Sequence, residues 1–152
     1  MTVSIVDYRP DHAAAWAALN TAWLVEGGFA IEAKDRKAID DPHGSFLADG
    51  GRVFIAEQDG QAVGCCALIR IADGFEVAKM TVSPAARGQG LARRLLTTCE
   101  AAARAAGARR LYLESSSTLK AALALYLDAG FVHLPPRETP YARADVFMEK
   151  RL

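Results

Sequence analysis

Val82-Ser83-Pro84-Ala85-Ala86-Arg87-Gly88-Gln89-Gly90-Leu91-Ala92 is the stretch on which the reading of this chain turns. An apolar, strand-like segment runs into a glycine-bearing turn, and a helically periodic segment begins beyond it. A helix opening there presents unpaired N–H groups and the positive end of its dipole. Gly88 and Gly90 lack Cβ atoms, so an anion can approach the backbone closely. Ala92 is small enough for a ligand to lie against the helix. The physical reading is a diphosphate cradle; the bland reading is a plain helix-starting turn. GxxxxGK followed by Ser or Thr is absent, which argues against a nucleotide triphosphatase loop. Gly88-x-Gly90-x-x-Arg93 lacks the third glycine of a dinucleotide fingerprint, which also wants a βαβ start that this chain does not have.

Upstream of the turn, 53–56, 62–71 and 75–82 read as strands. Asp59–Gly60 joins the first two as a hairpin and Asp73–Gly74 marks the second bend, so 53–82 is expected to be an antiparallel meander. Before it, Val3–Tyr8 reads as a strand, and Asp11 as the N-cap of a helix that stops at Gly27–Gly28. Trp16 and Trp23 recur on that helix at core spacing. Residues 29–51 hold no long period beyond one short helix within the charged patch 32–41. Downstream, Gly88–Ala106 is expected to be a long helix with Leu91, Leu95, Cys99, Ala102 and Ala106 on one stripe. A strand at 111–114, a helix at 119–129, a strand at 131–134, a Pro-rich loop and a last strand at 143–150 complete the order.

The 152 residues fit one domain, 1–152, and 51% hydrophobic with 24% charged side chains is ordinary for a globular chain. Eighteen basic residues balance 18 acidic ones, which argues against duplex nucleic acid as a partner. No apolar run approaches a membrane span, and the start shows no secretory signal. Cys65, Cys66 and Cys99 form no metal pattern, and neither do the scattered histidines. Adjacent Cys65 and Cys66 should face opposite sides of a strand, and the sparse, odd count fits a reducing cytoplasm. Abundant alanine and more Arg than Lys suggest a GC-rich bacterial genome. Arginines 87, 93, 94, 104, 109 and 110 face a single acid, Glu100, between 86 and 110, a bias suited to a ligand with several phosphates.

Arg87-x-x-Gly90-x-Ala92 resembles the coenzyme A signature of the GNAT superfamily of N-acyltransferases. The segment 122–131, Ala-Leu-Ala-Leu-Tyr-Leu-Asp-Ala-Gly-Phe, is similar to that family's second signature, and the order of elements is also the family's. The resemblance implies a mixed α/β fold: a mostly antiparallel sheet of about seven strands, splayed between strands 4 and 5, with about four helices around it. It implies a pantetheine arm bonded to the backbone of Met80, Thr81 and Val82. The diphosphate would lie on N–H groups from Arg87, Gly88, Gln89, Gly90, Leu91 and Ala92, with Arg93 nearby. Ser116 stands where the family often has an Asn that touches pantetheine.

The implied activity is transfer of an acetyl group from acetyl-coenzyme A to a primary amine of a small molecule or protein, by direct attack and without a metal. Tyr126 holds the family's general-acid position, though a core tyrosine with a satisfied hydroxyl is the alternative. Glu76 holds a general-base position, against a solvated strand end. Lys79 reads as a snorkelling or paired lysine. Glu32, Tyr141 and Arg143 border the expected acceptor side, as does His133. The cysteines receive no nucleophile role. A non-catalytic acyl-coenzyme A sensing module on the same scaffold is the competing function. A monomer and a homodimer are both compatible.

Overall fold

Period-two alternation organises the middle of the chain. The computed structural model describes residues 2–152. In it, β1 (Val3–Asp7) pairs with β2 (Arg52–Gln58), which runs antiparallel to β3 (Gln61–Ile71) and then β4 (Gly74–Val82). Val53, Ile55, Cys65 and Ala67 point to one face, where they meet Trp16, Leu19, Ala38 and Phe46. Phe54, Ala56, Cys66 and Leu68 point to the other, against Leu91, Leu95, Cys99 and Ala103. Cys65 and Cys66 therefore lie in different cores, as a strand dictates.

Helices cover both faces. α1 (Ala13–Glu26) and α2 (Ala33–Asp40) form one layer, tied by the buried Trp16 indole N–H donating to the Ala38 carbonyl at 3.0 Å. α3 (Leu91–Ala105) and α4 (Lys120–Asp128) form the other. β5 (Arg110–Ser115), β6 (Val132–His133) and β7 (Val146–Arg151) complete a seven-stranded sheet in the order β1-β2-β3-β4-β5-β7-β6. All neighbours are antiparallel except β4 and β5.

Several boundaries differ from expectation. α1 is preceded by a 3-10 turn at Pro10–His12, and the His12 ring accepts the Arg9 N–H in place of an Asp11 cap. α3 begins at Leu91 because Gly90, at φ 75°, is its left-handed N-cap. Its buried stripe runs through Leu96 and Ala103, with Ala106 exposed, because 3.6 residues per turn carries it round the helix. The last strand starts at Val146, so Tyr141 and Arg143 belong to the preceding loop. A five-residue π-helical turn, His43–Leu47, was not legible in the sequence and brings Phe46 inward.

Candidate functional site

β4 is one strand with two different partners. From Gly74 to Val77 it pairs with β5, opposite Arg110 to Leu113, and the pairing stops there. From Ala78 to Val82 it keeps β3 on one side and has no strand on the other. The parting coincides with a bulge: Cys65 faces Thr81 and Ala67 faces Ala78, so Lys79 and Met80 together oppose Cys66. Lys79 takes φ 56°, a left-handed conformation that a side chain disfavours by about 1–2 kcal/mol. An extra residue bends and twists a strand, and here it turns β4 away from β5. The backbone of Met80, Thr81 and Val82 borders the resulting gap.

The glycine turn opens at the same end. Gly88 and Gly90 have φ 80° and 75°, and a Cβ on either would meet nothing within 4 Å. The first helical bond of α3 runs from the Arg94 N–H to the Gly90 carbonyl at 3.1 Å, and the N–H groups of residues 88–93 find no acceptor among the described residues. The Arg87 N–H is different, since it donates to the Pro84 carbonyl. The Arg87 side chain ties the turn down, donating to the Val82 carbonyl at 3.1 Å and pairing with Glu26 at 2.9 Å. Gln89 accepts a bond from Gln58, and Arg93 pairs with Asp128. The expected arginine cluster is dispersed. Arg110 sits at the far end of α3 between Asp73 and Glu149, and Arg104 pairs with Glu100.

Where the two strands part, a cavity of about 400 Å³ collects Glu76, Met80, Glu114, Ser116 and Tyr126. No protein hydrogen bond engages the Glu76 carboxylate or the Tyr126 hydroxyl among the described residues. Burial, reinforced by the charge of Glu114, lifts the Glu76 carboxyl to about 7. Burial also raises the Tyr126 phenol well above its ordinary value. Glu114 is held by the hydroxyls of Tyr112, at 2.9 Å, and Thr139. Ser116 is buried, with its Oγ 2.9 Å from the Thr118 hydroxyl. Sequence reasoning missed Glu114, for which a single acid at the end of a strand gave no signal.

The opposite wall is built from α2 and the loop before β7. Asp35 is fully buried and receives the Arg143 guanidinium at 2.7 and 2.8 Å, the Lys79 ammonium at 3.0 Å and the Glu32 N–H at 3.0 Å. Burial alone would raise this carboxyl; the bonds from Arg143, Glu32 and Lys79 outweigh it and hold the group at about 2. Glu32 meets Arg143 at 3.4 Å, and Tyr141 accepts a bond from Lys79 at 3.3 Å while Arg143 stacks on its ring. Thus Glu32, Tyr141 and Arg143 do converge, and Lys79 is the paired lysine of the two readings. Asp35, the group that organises them, was hidden among the charges of 32–41. Trp16 is core, whereas Trp23 lines the cavity beneath Arg143. His133 is exposed on edge strand β6, away from the cavity.

Burial pushes the Cys65 thiol up to about 12, while the contact with Cys99, together with burial, lifts the Cys66 thiol well above its ordinary value, which leaves both unsuited to nucleophilic attack. Among the described residues, no cluster of His, Cys, Asp and Glu could hold a metal ion, and no helix is long and apolar enough to cross a membrane.

A family model for the acetyltransferase (GNAT) domain matches residues 49–133, which contain the meander, the glycine turn and Tyr126. The uncharacterised N-acetyltransferase YjgM of Escherichia coli is 34% identical over 100 residues, 63% of this chain and 60% of that protein. An IAA acetyltransferase of Azospirillum brasilense is 40% identical over 105 residues, 66% of this chain and 68% of that protein. A GNAT-family acetyltransferase from Staphylococcus aureus superposes with a TM-score of 0.89 at 18% identity, covering 99% of both chains. The PaiA N-acetyltransferase of Thermoplasma acidophilum, in complex with coenzyme A, superposes with a TM-score of 0.81 at 15% identity over 100% of both.

Proposed function

The chain belongs to the GNAT acetyltransferase family, and from that membership we propose that it is an N-acetyltransferase. It moves an acetyl group from acetyl-coenzyme A to a primary amine of a small molecule or protein, by direct attack on the thioester. When bound, acetyl-coenzyme A supplies an activated acyl group that a neutral amine can take without a covalent enzyme intermediate. The glycine turn fits its diphosphate, because the N–H groups of residues 88–93 lack acceptors and open space lies before Gly88 and Gly90. The unpaired edge of Met80, Thr81 and Val82 bonds the pantetheine arm, and Ser116 flanks it from β5.

Glu76 accepts the proton that an incoming ammonium must lose. A carboxyl at about 7 is near half-ionised at neutral pH, where a general base is most effective. Tyr126 keeps its proton through neutral pH and gives it to the departing sulfur. An N–H on the open edge of β4 near Val82 polarises the thioester carbonyl. The observation that carries this reading is the partner-free Glu76 carboxylate in the same cavity as Tyr126, at the point where β4 leaves β5. Residues 1–152 act as one catalytic unit, cytoplasmic as the free thiols suggest, and monomeric or homodimeric.

The test is release of coenzyme A thiol from acetyl-coenzyme A across a panel of primary amines. Amine-dependent release is expected, and Tyr126→Phe should lower kcat by about 10²-fold or more, within the range of general-acid catalysis. Tight cofactor binding with no amine-stimulated release would instead identify a non-catalytic sensing module.

A further inference from the structure

Charge inside the cavity is separated by wall. Glu76 and Glu114 stand on the β4–β5 side, while Lys34 and Lys37 stand on α2. The charges at the base of the α2 wall are already satisfied, since Asp35 and Glu32 answer Lys79 and Arg143. Lys34 and Lys37 are exposed and belong to no ion pair among the described residues. The Lys34 ammonium lies 5.5 Å from the centre of the Tyr141 ring, which keeps it against the cavity. Lys34 is also near enough, with Arg137 and Lys79, for its charge to act on Glu76. Asp49 also lines the cavity, and no bond or ion pair ties it to either lysine.

Two ammonium groups that form no ion pair, set on the wall opposite two carboxylates, make a field that a dipolar ligand complements. A simple alkylamine would meet the acidic wall and leave both lysines without a counter-charge. We propose that the acceptor is a primary amine that also carries a carboxylate, an α-amino acid being the simplest form, with its ammonium at Glu76 and Glu114 and its carboxylate held by Lys34 and Lys37. Trp23, Phe46 and Tyr141 give the cavity an apolar lining for a side chain. This assignment rests on the transferase reading. The reaction balances as an ammonium and an acyl thioester giving an amide, a thiol and one proton: an N–C bond forms, the C–S bond breaks, and Glu76 passes the proton to solvent.

The experiment compares kcat/KM for L-α-amino acids with aliphatic and aromatic side chains against the corresponding decarboxylated amines. At least one amino acid should exceed its decarboxylated counterpart by about tenfold or more, the scale of one charge-assisted contact. In the double variant Lys34→Ala, Lys37→Ala that ratio should fall toward one, mainly through a raised KM for the acid. A ratio near or below one in the wild type, or a ratio unchanged in the folded double variant, overturns the assignment and leaves the transferase reading intact. Turnover of neither class, with coenzyme A still bound, overturns both.

Discussion

The turn at Gly88–Gly90 and the cavity at Glu76 lie at the same end of the sheet but are made of different material. The turn offers backbone N–H groups from one short run of chain. Its geometry follows from two glycines at positive φ and a helix start, and nothing packs in front of it. The cavity offers side chains drawn from segments between residues 23 and 144, and its acceptor wall hangs on one buried carboxylate, Asp35, holding two cations. In the first, the groups that would bind are not the groups that pack. In the second, the groups that would face an acceptor also hold the fold together.

The sharpest way to break this contrast is Gly90→Leu. The new side chain projects into the open space before the turn, and losing two charge-assisted bonds of about 1.5–3 kcal/mol each weakens coenzyme A by about 10²–10⁴-fold. Calorimetric titration should register that loss while circular dichroism shows a folded chain, destabilised by about 1–2 kcal/mol because leucine must take the left-handed φ of Gly90. Retained affinity would remove the cradle.

Next in size is Glu76→Gln, with a drop in kcat/KM of about 10²–10⁴-fold, the span of general-base catalysis. The sign with pH follows from the raised carboxyl. The base works ionised, so wild-type activity should climb as pH rises through about 7 and level off above it. The glutamine variant should lose that inflection. An unchanged inflection would assign it to the substrate amine or another group.

The smallest effect on this scale is at Asp35, and it should be seen in stability. Asp35→Ala leaves the buried Lys79 without a counter-charge and Arg143 with only the longer contact to Glu32, which costs about 3–5 kcal/mol. Urea unfolding should report it as a larger loss than the ~1–2 kcal/mol expected for Gly90→Leu. Because the Asp35 carboxyl is held at about 2, below its ordinary 3.8, its contribution is complete above that ordinary value and fades as pH falls toward 2.

The same contrast decides how much could be read from the residues. Strand alternation placed 53–82 correctly, even to the opposed faces of Cys65 and Cys66, because period two is a local property. The glycine turn was visible because its geometry is local as well. The bulge at Lys79 and Met80 was not: nothing in Ala78-Lys79-Met80 announces a left-handed lysine, whose ammonium meets Asp35, some forty residues away in sequence. Glu32, Tyr141 and Arg143 were reached only through the family resemblance. Glu114 and Asp35 were not reached, since pairing across that distance leaves no mark in spacing. The arginine cluster at 87–110 misled for the converse reason, that nearness in sequence along a helix of 15 residues spreads charge over about 20 Å.

The buried cysteines have a practical consequence. All three thiols are fully shielded in the folded chain, and the Cys66 and Cys99 sulfurs touch at 3.5 Å in its interior. A chromogenic disulfide reagent added to a working assay therefore titrates only the liberated product. The same reagent, applied along a denaturant series with no donor present, becomes a built-in gauge of opening, with Cys65 reporting the α1–α2 side of the sheet and the other two sulfurs reporting the α3 side.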